Sequence, residues 1–415
     1  MIVIAALALW INSRWSAWFH NEAELPYAPQ SEPGRVLLTF GDENELSRNI
    51  SWQYDSIVVP SHVEFGRYTF RKIPYKIDAQ GEIFQSRSGK AAYYVAKLRT
   101  LQPDRYYTYR VCNEGKTSSW YSFRTYNQST RNDYSFMYVG DVQDSINGKA
   151  NQFFREALQR HPDTEFFVFG GDLTERPTEQ RWEETYRGLD SIGQHYPVIT
   201  VTGNHEYLKY IIRKLERRFS LVFSYYLDSM VGENQVYTLK YNGMQIFCLD
   251  SNREFFYLWT QKKVVRRTAQ EKQCTMEDRS YFIIQLYSIK GSMNNLFQRT
   301  MFNPLVEEYG VDLVLQGHEH AYARMTAHGE NGEAQAPVYT VSHCSPKNYY
   351  IEFDKRFDKF GTGSRYYQQI RVHGDTLTMN AYDATTNDLY DAVDIIKDKT
   401  GKSRLEDRGK RFPKH

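Results

Sequence analysis

Cysteine is scarce in this chain of 415 residues: Cys112, Cys248, Cys274 and Cys344 are far apart and match neither a zinc spacing nor the density of a disulfide scaffold. An excess of charge of one sign is missing too. With 52 basic against 50 acidic side chains the net charge is +2, which supplies no global field to recruit nucleic acid or an anionic membrane surface. A bilayer-spanning helix needs about 20 apolar residues, and the run Met1 to Ile11 has only eleven. Proline, at 13, is sparse, while 41% of residues are hydrophobic and 15% aromatic, led by 33 tyrosines. Those proportions exclude disordered, collagen-like and polytopic membrane classes. Histidine has a local absence: none of the eleven lies between His205 and His318.

What is present has a clear order. The length suggests two or three domains at roughly 100–200 residues each. Residues 1–20 read as an export signal or signal anchor, although no basic residues precede the apolar run and no small-residue cleavage site follows. A buried N-terminal element is the alternative. The expected location is the cell envelope, the periplasm or outside the cell. From 34 to 126, short β-type runs such as Val36 to Phe40, Ile50 to Tyr54, Ala92 to Leu98, Tyr106 to Cys112 and Trp120 to Arg124 alternate with turn residues, the pattern of an all-β sandwich. After a polar linker, residues 133–396 alternate strands with helices. Ser135 to Val139, Glu165 to Phe169, Val198 to Val201, Met244 to Leu249, Leu313 to Gln316 and Val338 to Ser342 read as strands. A helix with Ala150, Phe153, Phe154, Ala157 and Leu158 on one face, and another around Trp182 to Leu189, lie between them. This is an α/β layered domain. Residues 397–415 read as a charged, solvated tail.

Four of the strands end in a polar signature: Gly140-Asp141-Val142-Gln143, Gly170-Gly171-Asp172-Leu173-Thr174-Glu175, Gly203-Asn204-His205-Glu206 and Gly317-His318-Glu319-His320. Ligands of open α/β sheets bind beyond the carboxyl ends of strands, so these tips can converge. Two carboxylates, an amide oxygen and two imidazoles form a mixed shell that suits zinc, iron or manganese better than calcium. Two ions about 3.5–4 Å apart can activate water and clamp both oxygens of a phosphoester displacement.

With these motifs the chain resembles the calcineurin-like metallophosphoesterases, and more narrowly the purple acid phosphatase-like branch, in which a fibronectin type III-like sandwich precedes the catalytic domain. The resemblance implies that Asp141 and His320 hold a first metal, that Asp172 bridges, and that Asn204 and His318 hold a second. His205 would contact the phosphoryl group and assist the leaving oxygen without binding metal. The implied cofactors are two divalent or trivalent ions of iron, zinc or manganese. The implied partner is a phosphorylated small molecule, hydrolysed by a metal-bound hydroxide, as a phosphomonoester or alternatively a phosphodiester.

Three departures qualify this. The purple branch has tyrosine where this chain has Glu175, which implies a colourless protein, and related esterases have histidine where it has Gln143. The family's further histidine ligand to the second metal, expected between the third and fourth motifs, is missing. Two explanations stay open. One is a degenerate site, which would make the chain a non-catalytic surface scaffold. The other is a compensated reading-frame disturbance over Lys262 to Gln285, since Tyr281 to Gln285 read two nucleotides on can encode Leu-His-His-Pro. Lys262 to Ser280 also lacks the expected amphipathic helix period. Arg324 and Tyr322 either line the substrate pocket or, as is commoner for an arginine after a strand, lie on the solvated surface. His343 either approaches the site or is a satisfied structural residue.

Overall fold

The computed structural model describes all residues except 1–9, 11, 14, 16–18, 42–43, 68–74, 146–147, 226–234, 254, 272–277, 291–294, 330–331, 352–354 and 410–415. The apolar N-terminal run therefore falls almost wholly outside the described residues. Among those described, no helix is long and apolar enough to cross a membrane.

The alternating N-terminal runs form two antiparallel sheets. One contains Gly34–Phe40, Arg48–Gln53, Lys90–Leu98 and Gln80–Gln85. The other contains Tyr75–Asp78, Ser61–Arg67, Tyr106–Asn113, Lys116–Thr117 and Tyr121–Arg124. Between them Val36, Leu38, Ile50, Trp52, Val63, Tyr94, Tyr109 and Val111 make a core. The strand Gly34–Phe40 is apolar on both faces for a reason. Val36 and Leu38 point into the sandwich, whereas Leu37 and Phe40 pack into the core of the following domain. Its Thr39 pairs in parallel with Val198, so the sandwich sheet continues into the catalytic one.

The second domain has two facing sheets. In the first, Asp133–Val139, Phe166–Phe169 and Val198–Thr200 are parallel, and Tyr366–His373, Thr376–Asp383, Leu389–Lys397 and Ser403–Asp407 extend it antiparallel. The second sheet runs Tyr237–Tyr241, Met244–Cys248, Arg279–Ile283, Leu313–Gln316, Ala334–Val341, Tyr322–His328, Lys359–Gly361. Phe136, Phe166, Tyr241, Ile246 and Tyr281 fill the space between the sheets. The predicted helix face is realised in Ala150–Arg160, where Phe153, Phe154 and Ala157 are buried. Phe154 meets Phe167 and Phe169 edge to face. Each such phenylalanine contributes about 1.5–3 kcal/mol by leaving water.

Two expectations are corrected. The charged tail is not a free solvated extension: Ser403–Asp407 pairs with Leu389–Lys397 as an edge strand, with Leu405 packed on the core. The segment beginning at Lys262 does lie in a helix, Phe255–Glu271. Its irregular charge pattern hides a buried stripe of Leu258, Gln261, Val265, Thr268 and Ala269. The polar Gln261 belongs to this stripe because its amide bonds both the backbone N–H and the carbonyl of Asp250.

Candidate metal centre

The four signatures do sit beyond the carboxyl ends of strands, three on the first sheet and Gly317 to His320 on the second. The tips approach so closely that glycine is required. A Cβ on Gly203 would lie 2.0 Å from Asp172 Oδ1, and one on Gly317 would lie 2.5 Å from Asp141 Oδ1. Asp172 and His318 both adopt positive φ, 47° and 72°, which turns their side chains back over the sheet edges.

The candidate ligands gather in pairs. Asp141 is fully buried. Its Oδ1 accepts the His318 backbone N–H at 2.6 Å, while Oδ2 lies 3.0 Å from His320 Nε2 and has no hydrogen-bond partner. His320 Nδ1 is 3.0 Å from the Lys347 carbonyl, which can only accept, so the proton sits on Nδ1 and Nε2 presents a lone pair. In the second pair Asp172 Oδ2 lies 3.8 Å from His318 Nδ1, and Asp172 Oδ1 accepts the His205 backbone N–H at 2.8 Å. Burial opposes ionisation of Asp172, yet His318 and His205 hold its carboxyl below the ordinary aspartate range. Burial lowers the His318 pKa, and Asp172 more than reverses that, raising it. Asn204, at the start of the turn Asn204–Glu206, has a buried Oδ1 without a partner.

These orphaned oxygens and bare nitrogens fit cations. Beside Asp172, Gly203 and His318 there is a cavity of about 20 Å³, enough for one small species. Gln285, just beyond the strand Arg279–Ile283, also lines it, and its Nε2 is buried without a partner. Apart from the absent histidine, no sequence signal marks Gln285.

Other side chains fall differently. Gln143 is buried with neither amide atom bonded, so it stays available to a ligand. Glu175 is taken up by cations: its carboxylate lies 2.5 Å from Lys347 and 3.3 Å from Arg176. His205 Nδ1 is held from two sides, 2.6 Å from the Glu175 carbonyl and 2.7 Å from the Arg176 guanidinium, which anchors the ring. His205 shares a small recess with Arg176, Asn204, Lys209, His20 and Asn21, and Asn21 clips Lys209 through both its backbone N–H and its carbonyl.

Arg324 and Tyr322 do not line this space. Both are buried, and both bond Asp391, with Arg324 also 2.9 Å from Asp407. The Arg324 charge and the Tyr322 hydroxyl are taken up between the two sheets and the edge strand. His343 is fully buried and stacks on His320 at 5.2 Å. Burial, with His320 beside it, pushes its pKa down to about 3, so it is a neutral platform for the ligand histidine.

The motif glutamates, assigned no role from sequence, hold the loops. Glu206 accepts from the backbone N–H groups of Asp172, Gly203 and Thr174. Glu319 accepts from the Ser288 hydroxyl at 2.6 Å and from the Ile289 N–H, and Gln316 accepts from the N–H groups of Leu286 and Tyr287. The loop carrying Gln285 is thereby tied to the fourth motif. A cavity of about 720 Å³ lies elsewhere, between the sandwich and the opposite strand ends near Tyr134 and Glu165.

Comparison with known proteins bears on the fold and the family. Residues 134–322 match the calcineurin-like phosphoesterase family, and residues 33–125 match the purple acid phosphatase N-terminal domain. Probable purple acid phosphatase 20 of Arabidopsis thaliana is 25% identical over 329 residues, spanning 72% of this chain and 73% of its own length. Purple acid phosphatase 22 of the same plant is 25% identical over 321 residues, spanning 71% and 67%. Among solved structures, purple acid phosphatase PPD1 from yellow lupin (Lupinus luteus) seeds superposes with a TM-score of 0.73 at 16% identity, over 89% of this chain and 75% of that one. PhoD does so at 0.62 and 12% identity, over 94% and 93%. Identities this low speak to the fold alone. The chain thus joins a region matching the purple acid phosphatase N-terminal domain to one matching the calcineurin-like phosphoesterase family, and these domains together with the purple acid phosphatase relatives support a metallophosphoesterase hydrolase.

Proposed function

We propose that this chain is a phosphomonoesterase with a dinuclear centre in which Asp141 and His320 hold one ion, Asn204 and His318 hold the other, and Asp172 serves both. The observation that carries the reading is the pair Asp141 Oδ2 and His320 Nε2, two lone-pair atoms 3.0 Å apart with no hydrogen bond between them. When bound, the ions supply positive charge to the phosphoryl group and acidify a water molecule.

The protein's own groups orient and exclude. Glu206 and Glu319 lock the loops that present the ligands. His205, anchored through Nδ1 by the Glu175 carbonyl and the Arg176 guanidinium, lines the recess and serves as the proton donor to the leaving oxygen. Arg176 and Lys209 beside it favour a dianionic monoester over a diester, which carries one charge less. Metal identity among iron, zinc and manganese is left open by these donors. The apolar run from Met1 to Ile11 supports a location at the cell envelope or outside the cell.

Turnover of an aryl phosphomonoester against the corresponding aryl phosphodiester tests the substrate class. A higher kcat/KM for the monoester is expected, and a preference for the diester would overturn it.

A further inference from the structure

A second group of metal-ligating side chains lies on the outer face of the sandwich, far in sequence from the catalytic motifs. His62 and Glu64 are two apart on the strand Ser61–Arg67 and so share a face. Cys112, on Tyr106–Asn113, stands directly opposite His62 in the antiparallel register. Among the described residues this is the one trio of histidine, cysteine and carboxylate groups whose ligand atoms all lie within 4.8 Å of one another. The cysteine is a free thiol and is buried.

The surrounding charges leave the trio open. Arg110 takes Glu64 Oε2 at 2.8 Å and is itself stacked over the Trp120 ring. The other carboxylate oxygen, Oε1, faces His62 Nε2 at 3.7 Å and Lys76 at 3.6 Å. His62 Nε2 is buried and has no hydrogen-bond partner. Asp78 stands in register on the other side of His62. The Glu64–Arg110 ion pair alone explains neither the bare imidazole nitrogen nor the thiol beside it.

We propose that His62 Nε2, Glu64 Oε1 and Cys112 Sγ bind a borderline-soft divalent cation of the zinc class, with Asp78 or solvent completing a tetrahedral shell. Tetrahedral bonds of about 2.0–2.3 Å place ligand atoms some 3.3–3.8 Å apart, so the trio needs only small side-chain rotations. Burial and Glu64 hold the Cys112 thiol above its ordinary pKa, so it is protonated before binding. On binding, the S–H bond is replaced by a sulfur–metal bond and the proton leaves to water. The cation would staple two neighbouring strands of the outer sheet and leave the catalytic centre untouched.

The test uses the full chain, stripped of metal and titrated with cobalt(II). The catalytic ligands include no cysteine, so a near-ultraviolet thiolate-to-cobalt band reads the sandwich site alone. The expected result is such a band, saturating at one equivalent, lost in Cys112→Ser, weakened in His62→Ala and unchanged in Cys274→Ser. Circular dichroism establishes that each variant is folded. A folded wild-type chain without the band, or a band that persists in Cys112→Ser, overturns the proposal.

Discussion

His320 Nε2 faces Asp141 Oδ2 across 3.0 Å, and both atoms present lone pairs, because the Lys347 carbonyl keeps the imidazole proton on Nδ1. In a buried, low-dielectric place two such atoms repel unless a cation lies between or beside them. The arrangement persists because the backbone enforces it. Asp141 is pinned by the His318 N–H, and His320 is sandwiched between His343 and Tyr349 at 5.2 and 4.7 Å.

The weakest part of the centre is the side of Gln285. It lines the 20 Å³ cavity with Asp172 and His318, just beyond the strand end where the family resemblance calls for an imidazole. Gln285→His is expected to tighten the second ion by roughly 10–100-fold, the scale of ligand-tuning effects at metal sites. Calorimetric titration of the metal-stripped chain measures this. Equal affinity in the variant and the parent would place Gln285 outside the coordination sphere.

Colour provides an independent check. Glu175 stands where the purple enzymes carry their iron-binding tyrosine, and its carboxylate is engaged by Lys347 and Arg176. The protein loaded with ferric iron is expected to show no tyrosinate charge-transfer band in the visible spectrum. Appearance of that band would contradict the assignment.

Arg324 separates structure from catalysis. Its guanidinium is buried against Asp391, Asp407 and Asp358. Arg324→Ala leaves the fully buried Asp391 without its main counter-charge and should cost about 3–5 kcal/mol in unfolding free energy, with KM per folded molecule unchanged. Denaturant unfolding reads the first quantity and steady-state kinetics the second. A large rise in KM without loss of stability would return Arg324 to the substrate pocket.

Glu165 sets a pH dependence of stability. Burial is the main cause that raises its pKa from 4.5 to about 7, with Tyr241 opposing as a hydrogen-bond donor. A carboxyl raised in the folded state favours the fold while protonated, so its contribution is complete below about pH 4.5 and is lost as pH rises through 7. The loss is at most about 3 kcal/mol, less what the partly exposed carboxylate recovers from water. Glu165→Gln should flatten this fall, gaining on the parent between pH 5 and pH 8 in unfolding midpoints. Parallel pH profiles for the two would remove Glu165 as the cause.

The candidate site residues were legible as motifs because they follow buried strands in short glycine-led runs, and local sequence is enough to display that. What was not legible depends on partners distant along the chain. Arg324 read as a pocket or surface residue, and not as a buried ion pair, because its counter-ions Asp391 and Asp407 lie 67 and 83 residues further on. Glu206 and Glu319 were visible as letters of the motifs, but their work is to accept backbone N–H groups from loops about 30 residues away. Gln285 carries no motif at all and is found only by the cavity it lines. The strands Ser61–Arg67, Tyr75–Asp78 and Gln80–Gln85 went unread, the last two because their residues are mostly exposed and lack apolar alternation.

The most direct test is hydrolysis of an aryl phosphate by the chelator-stripped chain as zinc, manganese or iron is added back. The account predicts turnover that appears only with metal and is lost by more than about 100-fold in Asp141→Asn, whose amide is a poorer ligand facing His320. Absence of turnover with every metal, in a folded chain that retains none of them, would contradict it and leave the phosphoesterase fold as a scaffold.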